Sequence, residues 1–129
     1  MWTYEQSTGR MFNPNGELAG TGYSGSPEGK NNTLMQAIKN VGPIPIGTYA
    51  FGSPFDSLTH GKFVLSLTPD PYNEMFTRAG FLVHGDSVTE PGTASEGCII
   101  MPRTTRELMA ASTDRFVKVV DLRPEVIKT

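Results

Sequence analysis

Residues 81–101, FLVHGDSVTEPGTASEGCIIM, contain the only cysteine of the chain and one of its two histidines. An apolar run ends at His84 and another begins at Cys98, with glycines and small polar residues between them. Runs of this length and composition are typical of short buried strands, so the stretch predicts two strands joined by a flexible loop. If the two strands are neighbours in a sheet, the loop returns the thiol to the imidazole.

Spacing alone leaves two interpretations of this pair open. A cysteine attacks as its thiolate, and an imidazole is the usual group that takes its proton. In that case the amides of Gly97 and Cys98 are free to face a developing oxyanion. Asp86 and Ser95 are the nearby groups that could orient the ring of His84. In the other interpretation the thiol is buried and inert, because free cysteine is among the most buried residue types.

Short strand patterns with turn residues between them continue on both sides of this stretch. We predict a hairpin, a turn and further strands at residues 2–12, 13–16, 17–25, 47–51, 62–68 and 115–122. Residues 32–42 and 104–112 have helical patterns, and Thr104 and Glu107 form the capping box of the second. The pattern predicts a mainly β fold with one or two short helices, in a single domain spanning residues 1–129.

Composition excludes several classes of protein. The net charge of −2 and the pI of about 5.6 provide no basic stripe for nucleic acid. One cysteine makes no internal disulfide, and we expect no metal site and no cofactor. We also expect synthesis in the cytoplasm without a Sec signal, and no membrane insertion. His60 lies at a turn before a strand and is predicted to be a surface residue rather than a ligand or a base.

Several motifs occur in order from Trp2 to about Val120. They are WTYEQSTG at residues 2–9, GTGYSG at 20–25, GKNN at 29–32, NVGPIPIGTY at 40–49, FLVHGD at 81–86 and PGTASEGCI at 91–99. Together they resemble the type VI secretion L,D-transpeptidase effector family (the Tlde1 family), which is related to YkuD-like L,D-transpeptidase catalytic domains.

The resemblance implies an L,D-transpeptidase-like β-sandwich or barrel that acts on peptidoglycan. Cys98 would be the nucleophile and His84 its base, with Ser95 and Gly97 shaping the site and Asp86 close by. The thiol would attack the bond before the terminal D-alanine of a tetrapeptide stem. Hydrolysis would then remove D-alanine, and a D-amino acid would exchange with it.

One departure from the family's relatives concerns the cysteine motif. Cell-wall L,D-transpeptidases typically have His-Gly-Cys followed two positions later by arginine. This chain has Glu96 and Gly97 before Cys98, and Ile100 at the arginine position. The motif therefore lacks the usual second histidine, which favours the effector branch over a housekeeping cross-linker.

Substrate, partners and location follow from the same resemblance. Stem peptides carry carboxylates, so we expect a cationic anchor, and Arg78 and Arg103 are the candidates, although each could equally be solvated at the edge of an element. Tyr23 is a further pocket candidate, although a strand tyrosine more often packs in a core or on a surface. The family implies action in the target-cell periplasm and a cognate immunity protein, and we expect a monomer.

Two other functions compete with this one. An NlpC/P60-like cysteine peptidase or amidase would cut elsewhere in the muropeptide, but those domains place the cysteine before the histidine. A non-catalytic peptidoglycan-binding module would use the same scaffold with a buried Cys98.

Overall fold

The computed structural model describes residues 1–124 and is built mainly of β-strands, as the sequence predicts. Its strands are β1 Trp2–Glu5, β2 Arg10–Phe12, β3 Leu18–Thr21, β4 Tyr23–Ser24, β5 Gly47–Phe51, β6 Phe55–Ser57, β7 Gly61–Pro69, β8 Leu82–His84, β9 Ile99–Ile100 and β10 Phe116–Val120. One α-helix, α1, spans Arg103–Ala111. Strand β6 is the element that the sequence did not predict.

The strands form one continuous ladder in the order β3-β2-β1-β10-β5-β7-β8-β9-β4, with β6 paired to β7 on the side. β1 pairs in parallel with β10, and β8 pairs in parallel with β9. The two ends of the ladder, β3 and β4, are separated in the chain by Gly22 alone. The sheet must therefore curl until its first and last strands meet.

Gly22 lies at this junction because no larger residue fits there. Its amide donates a hydrogen bond to the carbonyl of Gly9 at 2.8 Å. A Cβ atom at this position would overlap the carbonyl oxygen of Ile100 in β9, the strand that follows Cys98. The close approach of three backbone segments thus requires glycine.

The inward faces of the strands form one apolar core. Its fully buried members include Tyr4, Met11, Tyr49, Leu65, Val83, Ile99, Met109, Val117 and Val119. β8 and β9 contribute to this core through Val83 and Ile99, and packing on that scale fixes the position of each strand. Strand β8, which ends at His84, and strand β9, which follows Cys98, are therefore both anchored in the core.

Helix α1 packs against β7 and β3. Arg106 is buried and donates to the carbonyls of Lys62 and Phe63, each at 2.9 Å.

The capping box predicted at the start of α1 is wrong: Pro102 is the N-cap residue and provides no side-chain cap. Glu107 instead lies 3.9 Å from Arg103, one helical turn away. No helix within residues 1–124 is long and apolar enough to cross a membrane.

The predicted helix at residues 32–42 is reduced to a single 3-10 turn at Thr33–Met35. Asn32 does cap this turn, accepting from the amide of Leu34 at 3.1 Å. Leu34 and Ile38 are 90% and 46% exposed, so the apolar face of the expected helix has no core to pack against. The carbonyls of this segment are used by a buried arginine, as described below.

Replacing Gly22 with alanine tests the junction between the ends of the sheet. We expect Gly22→Ala to lower the free energy of unfolding by about 3 kcal/mol, because the new methyl group overlaps backbone that cannot move independently. Gly52→Ala is the matched control, since its methyl group meets only side-chain atoms of Ser66, and a serine hydroxyl can rotate away where backbone cannot. Equal denaturation midpoints for the two variants in urea would contradict the close approach.

Candidate active site

The two strands that flank the opening stretch are neighbours. β8 and β9 run in parallel, with Val83 opposite Ile99 and His84 opposite Ile100. The loop between them therefore brings Cys98 back beside the strand that ends at His84. Both side chains line one open cavity of about 390 Å³.

Three stretches of chain and the thiol loop form the walls of this cavity, which we call the thiol cavity. Its lining residues are Lys39, Asn40, Thr59, His60, Arg78, Ala79, Gly80, Phe81, His84, Thr93, Ala94, Glu96, Gly97 and Cys98. Within the described chain, no group of three or more histidine, cysteine, aspartate or glutamate residues is arranged to hold a metal ion.

His84 is 3% exposed, and its ring is oriented by backbone. Nδ1 lies 2.8 Å from the carbonyl oxygen of Gly85. A carbonyl only accepts, so Nδ1 carries the proton of the neutral ring and Nε2 is left to accept one. Neither Asp86 nor Ser95 forms a hydrogen bond with His84 among residues 1–124, so the expectation that one of them orients the ring is wrong.

The protonation state of His84 suits a base. Burial lowers the pKa of its imidazole, and the neighbouring charges of His60 and Arg106 act in the same direction. The Gly85 carbonyl and Asp86 oppose them without reversing the shift. Because the pKa is depressed, His84 stays neutral to a lower pH than an ordinary histidine does.

Cys98 is a free, half-buried thiol. Its sulfur lies 4.0 Å from the carbonyl oxygen of Gly80. Burial raises the pKa of the thiol and Glu96 adds to this, while the amide of Leu82 and the guanidinium of Arg78 oppose it. No hydrogen bond joins Cys98 to His84 in the described residues, so the resting pair is a neutral thiol and a neutral imidazole facing one cavity.

The turn before Cys98 is held by Ser95. Its Oγ donates to the carbonyl of Cys98 at 2.7 Å and accepts from the amides of Gly25 and Gly97 at 2.9 and 3.0 Å. The amide of Gly97 is thus occupied, contrary to its expected role as an oxyanion donor. The amide of Cys98 has no acceptor in the described chain. Gly97 has φ +144°, and a Cβ there would overlap Nη2 of Arg78.

Asp86 and Tyr23 hold the loop between β8 and β9 rather than the imidazole. The hydroxyl of Tyr23 donates to Asp86 at 2.5 Å and accepts from the amide of Ala94 at 3.0 Å. Asp86 also accepts from the amide of Gly92 at 3.1 Å. Burial, together with the hydrogen bond to Asp86, raises the pKa of Tyr23 to about 12.

Arg78 lies at the thiol cavity, but its guanidinium is already engaged. The side chain is 6% exposed and donates to four backbone carbonyls. Nη1 donates to Gln36 and Pro43 at 2.6 and 2.7 Å, and Nη2 donates to Gly42 and Glu96 at 3.0 and 3.1 Å. Arg78 therefore joins two loops and leaves only Nε without an acceptor in residues 1–124.

Arg103 and Tyr23 are not brought to the thiol. They line a second cavity of about 400 Å³ together with Asp86 and Arg106. The side chain of Arg103 is 52% exposed, and its guanidinium lies over the ring of Phe63 at 4.4 Å. The structure thus separates these two predicted substrate contacts from the thiol cavity.

Lys39 and His60 are ionisable lining residues that the sequence analysis did not assign to the site. Lys39 is exposed at the cavity and has no hydrogen bond or ion pair within the described part of the chain. His60 is exposed on its turn, as predicted, yet its ring centroid lies 4.8 Å from that of His84. The only usable signal for His60 was that it is the sole other histidine. Nothing near Lys39 in the sequence marks it as part of this site.

Comparison with known families identifies the domain. The family model of the Tlde1 domain matches residues 19–123, which include both His84 and Cys98. The chain belongs to the Tlde1 domain family. The resemblance carried by the sequence motifs is confirmed, and membership of the Tlde1 family indicates a type VI effector. A comparison with curated proteins gives no match.

The contacts of Arg78 give a test that separates a structural role from substrate binding. We expect Arg78→Lys to lower the free energy of unfolding of this Tlde1 domain by about 3 kcal/mol, because an ammonium cannot reach four carbonyls at once. Arg103→Lys is the matched control and should change it by less than about 0.5 kcal/mol. Unchanged stability of Arg78→Lys in urea titrations would mean that the guanidinium does not hold the loops.

Proposed function

We propose that this Tlde1 domain is a cysteine acyltransferase that acts on peptidoglycan tetrapeptide stems. It removes the terminal D-alanine as an L,D-carboxypeptidase or exchanges it for another D-amino acid as an L,D-transpeptidase. The observation that carries the proposal is the open cavity shared by a half-buried thiol and a neutral, carbonyl-oriented imidazole. An inert core thiol would have no such cavity.

The first half of the reaction forms a thioester. Cys98 transfers its proton to Nε2 of His84, and the thiolate attacks the carbonyl carbon of the third stem residue. The carbon–nitrogen bond to D-alanine breaks, and the departing amine takes the proton from His84. The resting thiol has a raised pKa and no hydrogen bond to His84 within the described residues, so the proposed mechanism has substrate binding bring thiol and imidazole into contact. Catalytic hydrogen bonds are often long in the free enzyme and tighten when the substrate binds.

The second half releases the acyl group. Water, or the amine of a D-amino acid, attacks the thioester carbonyl while His84 accepts a proton from the attacking group. The carbon–sulfur bond breaks, and Cys98 recovers the proton. The amide of Cys98, which has no acceptor within residues 1–124, is our candidate donor to the oxyanion that forms in both halves.

Lys39 is the group that we assign as the carboxylate anchor. Arg78 donates to four carbonyls and Arg103 lines another cavity, whereas Lys39 borders the thiol cavity and its ammonium has no partner within residues 1–124. A lysine ammonium is a mobile point charge suited to a carboxylate at the rim of an open site. The substrate's charged end would then lie on the side of the cavity formed by residues 39 and 40.

The biological setting that we propose follows from the family. The domain would act on the cell wall of a competing bacterium after delivery to the periplasm, and a cognate immunity protein would block the cavity. The two competing functions predict different products. An NlpC/P60-like enzyme would cut within the stem, and a binding module would leave muropeptides unchanged.

Mass analysis of purified tetrapeptide muropeptides tests the reaction. With the intact domain we expect loss of D-alanine, or its replacement when another D-amino acid is added. Cys98→Ala should show neither product, because no thioester can form. Turnover by folded Cys98→Ala, unchanged muropeptides with the intact domain, or cleavage within the stem would each refute the assignment.

Lys39→Ala tests the anchor. We expect KM for the tetrapeptide to rise about threefold to fivefold with kcat little changed, because an exposed ion pair contributes up to about 1 kcal/mol to binding. Lys118→Ala removes an exposed lysine from β10, outside the cavity lining, and should leave both constants unchanged. Identical KM values for the two variants would place the carboxylate anchor elsewhere.

A further inference from the structure

The second histidine of the chain reaches the thiol cavity from a part of the fold unrelated to the cysteine motif. His60 lies in the turn between β6 and β7. Its Nδ1 is 2.9 Å from Oγ1 of Thr59 and 3.4 Å from Oγ of Ser57. These contacts hold its ring against His84, with the two ring planes inclined at 55°.

The position of His60 has two physical consequences for His84. His60 itself is exposed while His84 is 3% exposed, so the ring that packs against the buried imidazole is itself in contact with solvent. A proton on His60 also puts a positive charge about 5 Å from His84, where a second proton is repelled.

Other charged groups also face His84 and must be separated from His60 in any test. Arg106 of α1 acts on it from the core side, and Asp86 acts from the residue after Gly85. The remaining ionisable residues of the thiol cavity are Lys39, Arg78, Glu96 and Cys98. Of these groups, His60 is the one whose ring packs against the ring of His84.

We propose that His60 is a positioning residue for His84: its ring packs on the inner imidazole, and a positive charge on His60 opposes protonation of that imidazole and so favours its neutral, proton-accepting form. This inference rests on the proposed acyl transfer for its role in catalysis, but the interaction itself does not depend on a substrate. The β6–β7 turn thereby supplies an imidazole to a site whose cysteine motif lacks the second histidine. His60 acts through His84 and forms no bond to the reacting atoms.

A positive charge on His60 lowers the pKa of His84. His60 contributes to the depressed pKa of His84, after the larger contribution of burial. Removing the charge of His60 therefore raises the pH at which His84 becomes protonated and loses its function as a base. The acidic limb of the pH–rate profile should move in the same direction, since a protonated His84 cannot accept the thiol proton.

The experiment is an NMR titration of the imidazole of His84 in the whole domain. The chain has only two histidines, so each His60 variant shows a single imidazole. His60→Phe keeps a ring over His84 without charge, and its titration midpoint should lie about 0.6 pH unit or more above that of the wild type. His60→Lys keeps a positive charge at all relevant pH values, and its midpoint should not exceed that of the wild type.

Leu58→Ala is the control for disturbance of the turn, because this side chain is fully exposed in the same turn and does not line the cavity. It should leave the midpoint of His84 unchanged. His60→Gln provides a second uncharged variant and should raise the midpoint as His60→Phe does. Equal midpoints in the wild type, the uncharged variants and His60→Lys would overturn the proposal, as would equal upward shifts in the Phe and Lys variants.

The titration of His84 and the turnover of muropeptides can be measured independently of each other. If muropeptides are turned over, the acidic limb of kcat/KM should shift upward in His60→Phe while kcat at high pH stays within about twofold of the wild-type value. A shifted titration with an unshifted acidic limb would overturn the catalytic role of His60. Absence of turnover by the wild type would refute the proposed reaction and leave the titration result as it stands.

Discussion

A single buried guanidinium holds the two loops that form the thiol cavity. Arg78 has no carboxylate partner among the described residues, and four backbone carbonyls compensate its charge instead. Burying a charge is costly unless it is fully hydrogen-bonded, so the loops that provide these carbonyls are constrained to stay together. The residues before it, Phe76 and Thr77, adopt φ values of 55° and 60°, which bulky residues rarely do. The strained backbone of Phe76 and Thr77 thus directly precedes the buried charge of Arg78 at the edge of the cavity.

The strands were predictable because local pattern and burial agree there. The hairpin at the N-terminus, the turn after it and the strands around His84 and Cys98 all lie where alternation and turn residues put them. The absence of the expected helix at residues 32–42 was not predictable. The pattern of this segment is helical, but the carbonyls of Gln36 and Gly42 accept hydrogen bonds from Arg78, which lies far away in the sequence. Strand β6 is short and mostly exposed, so it has no apolar pattern to detect.

The candidate site likewise contains residues that the sequence predicts and residues that it does not. Cys98 and His84 are linked by one loop, and their meeting follows from the strands that flank it. The carbonyl of Gly85 carries no side-chain signal, so the sequence analysis named the nearby side chains of Asp86 and Ser95 as candidates for its role. Lys39 and His60 come from distant loops, and only the three-dimensional arrangement brings them to the cavity.

The order of the strands also links segments from the two ends of the described chain. β10 comes last in the described chain, yet it lies between β1 and β5 in the middle of the ladder. The N-terminal hairpin reaches the rest of the sheet through β10, and β4, which closes the sheet beside β9, follows that hairpin in the chain. Pairings between such distant segments are slow to form, because the entropy of closing long loops opposes them. The N-terminal hairpin reaches β5 only through β10, so the ladder is complete only when segments from the two ends of the described chain have paired with each other.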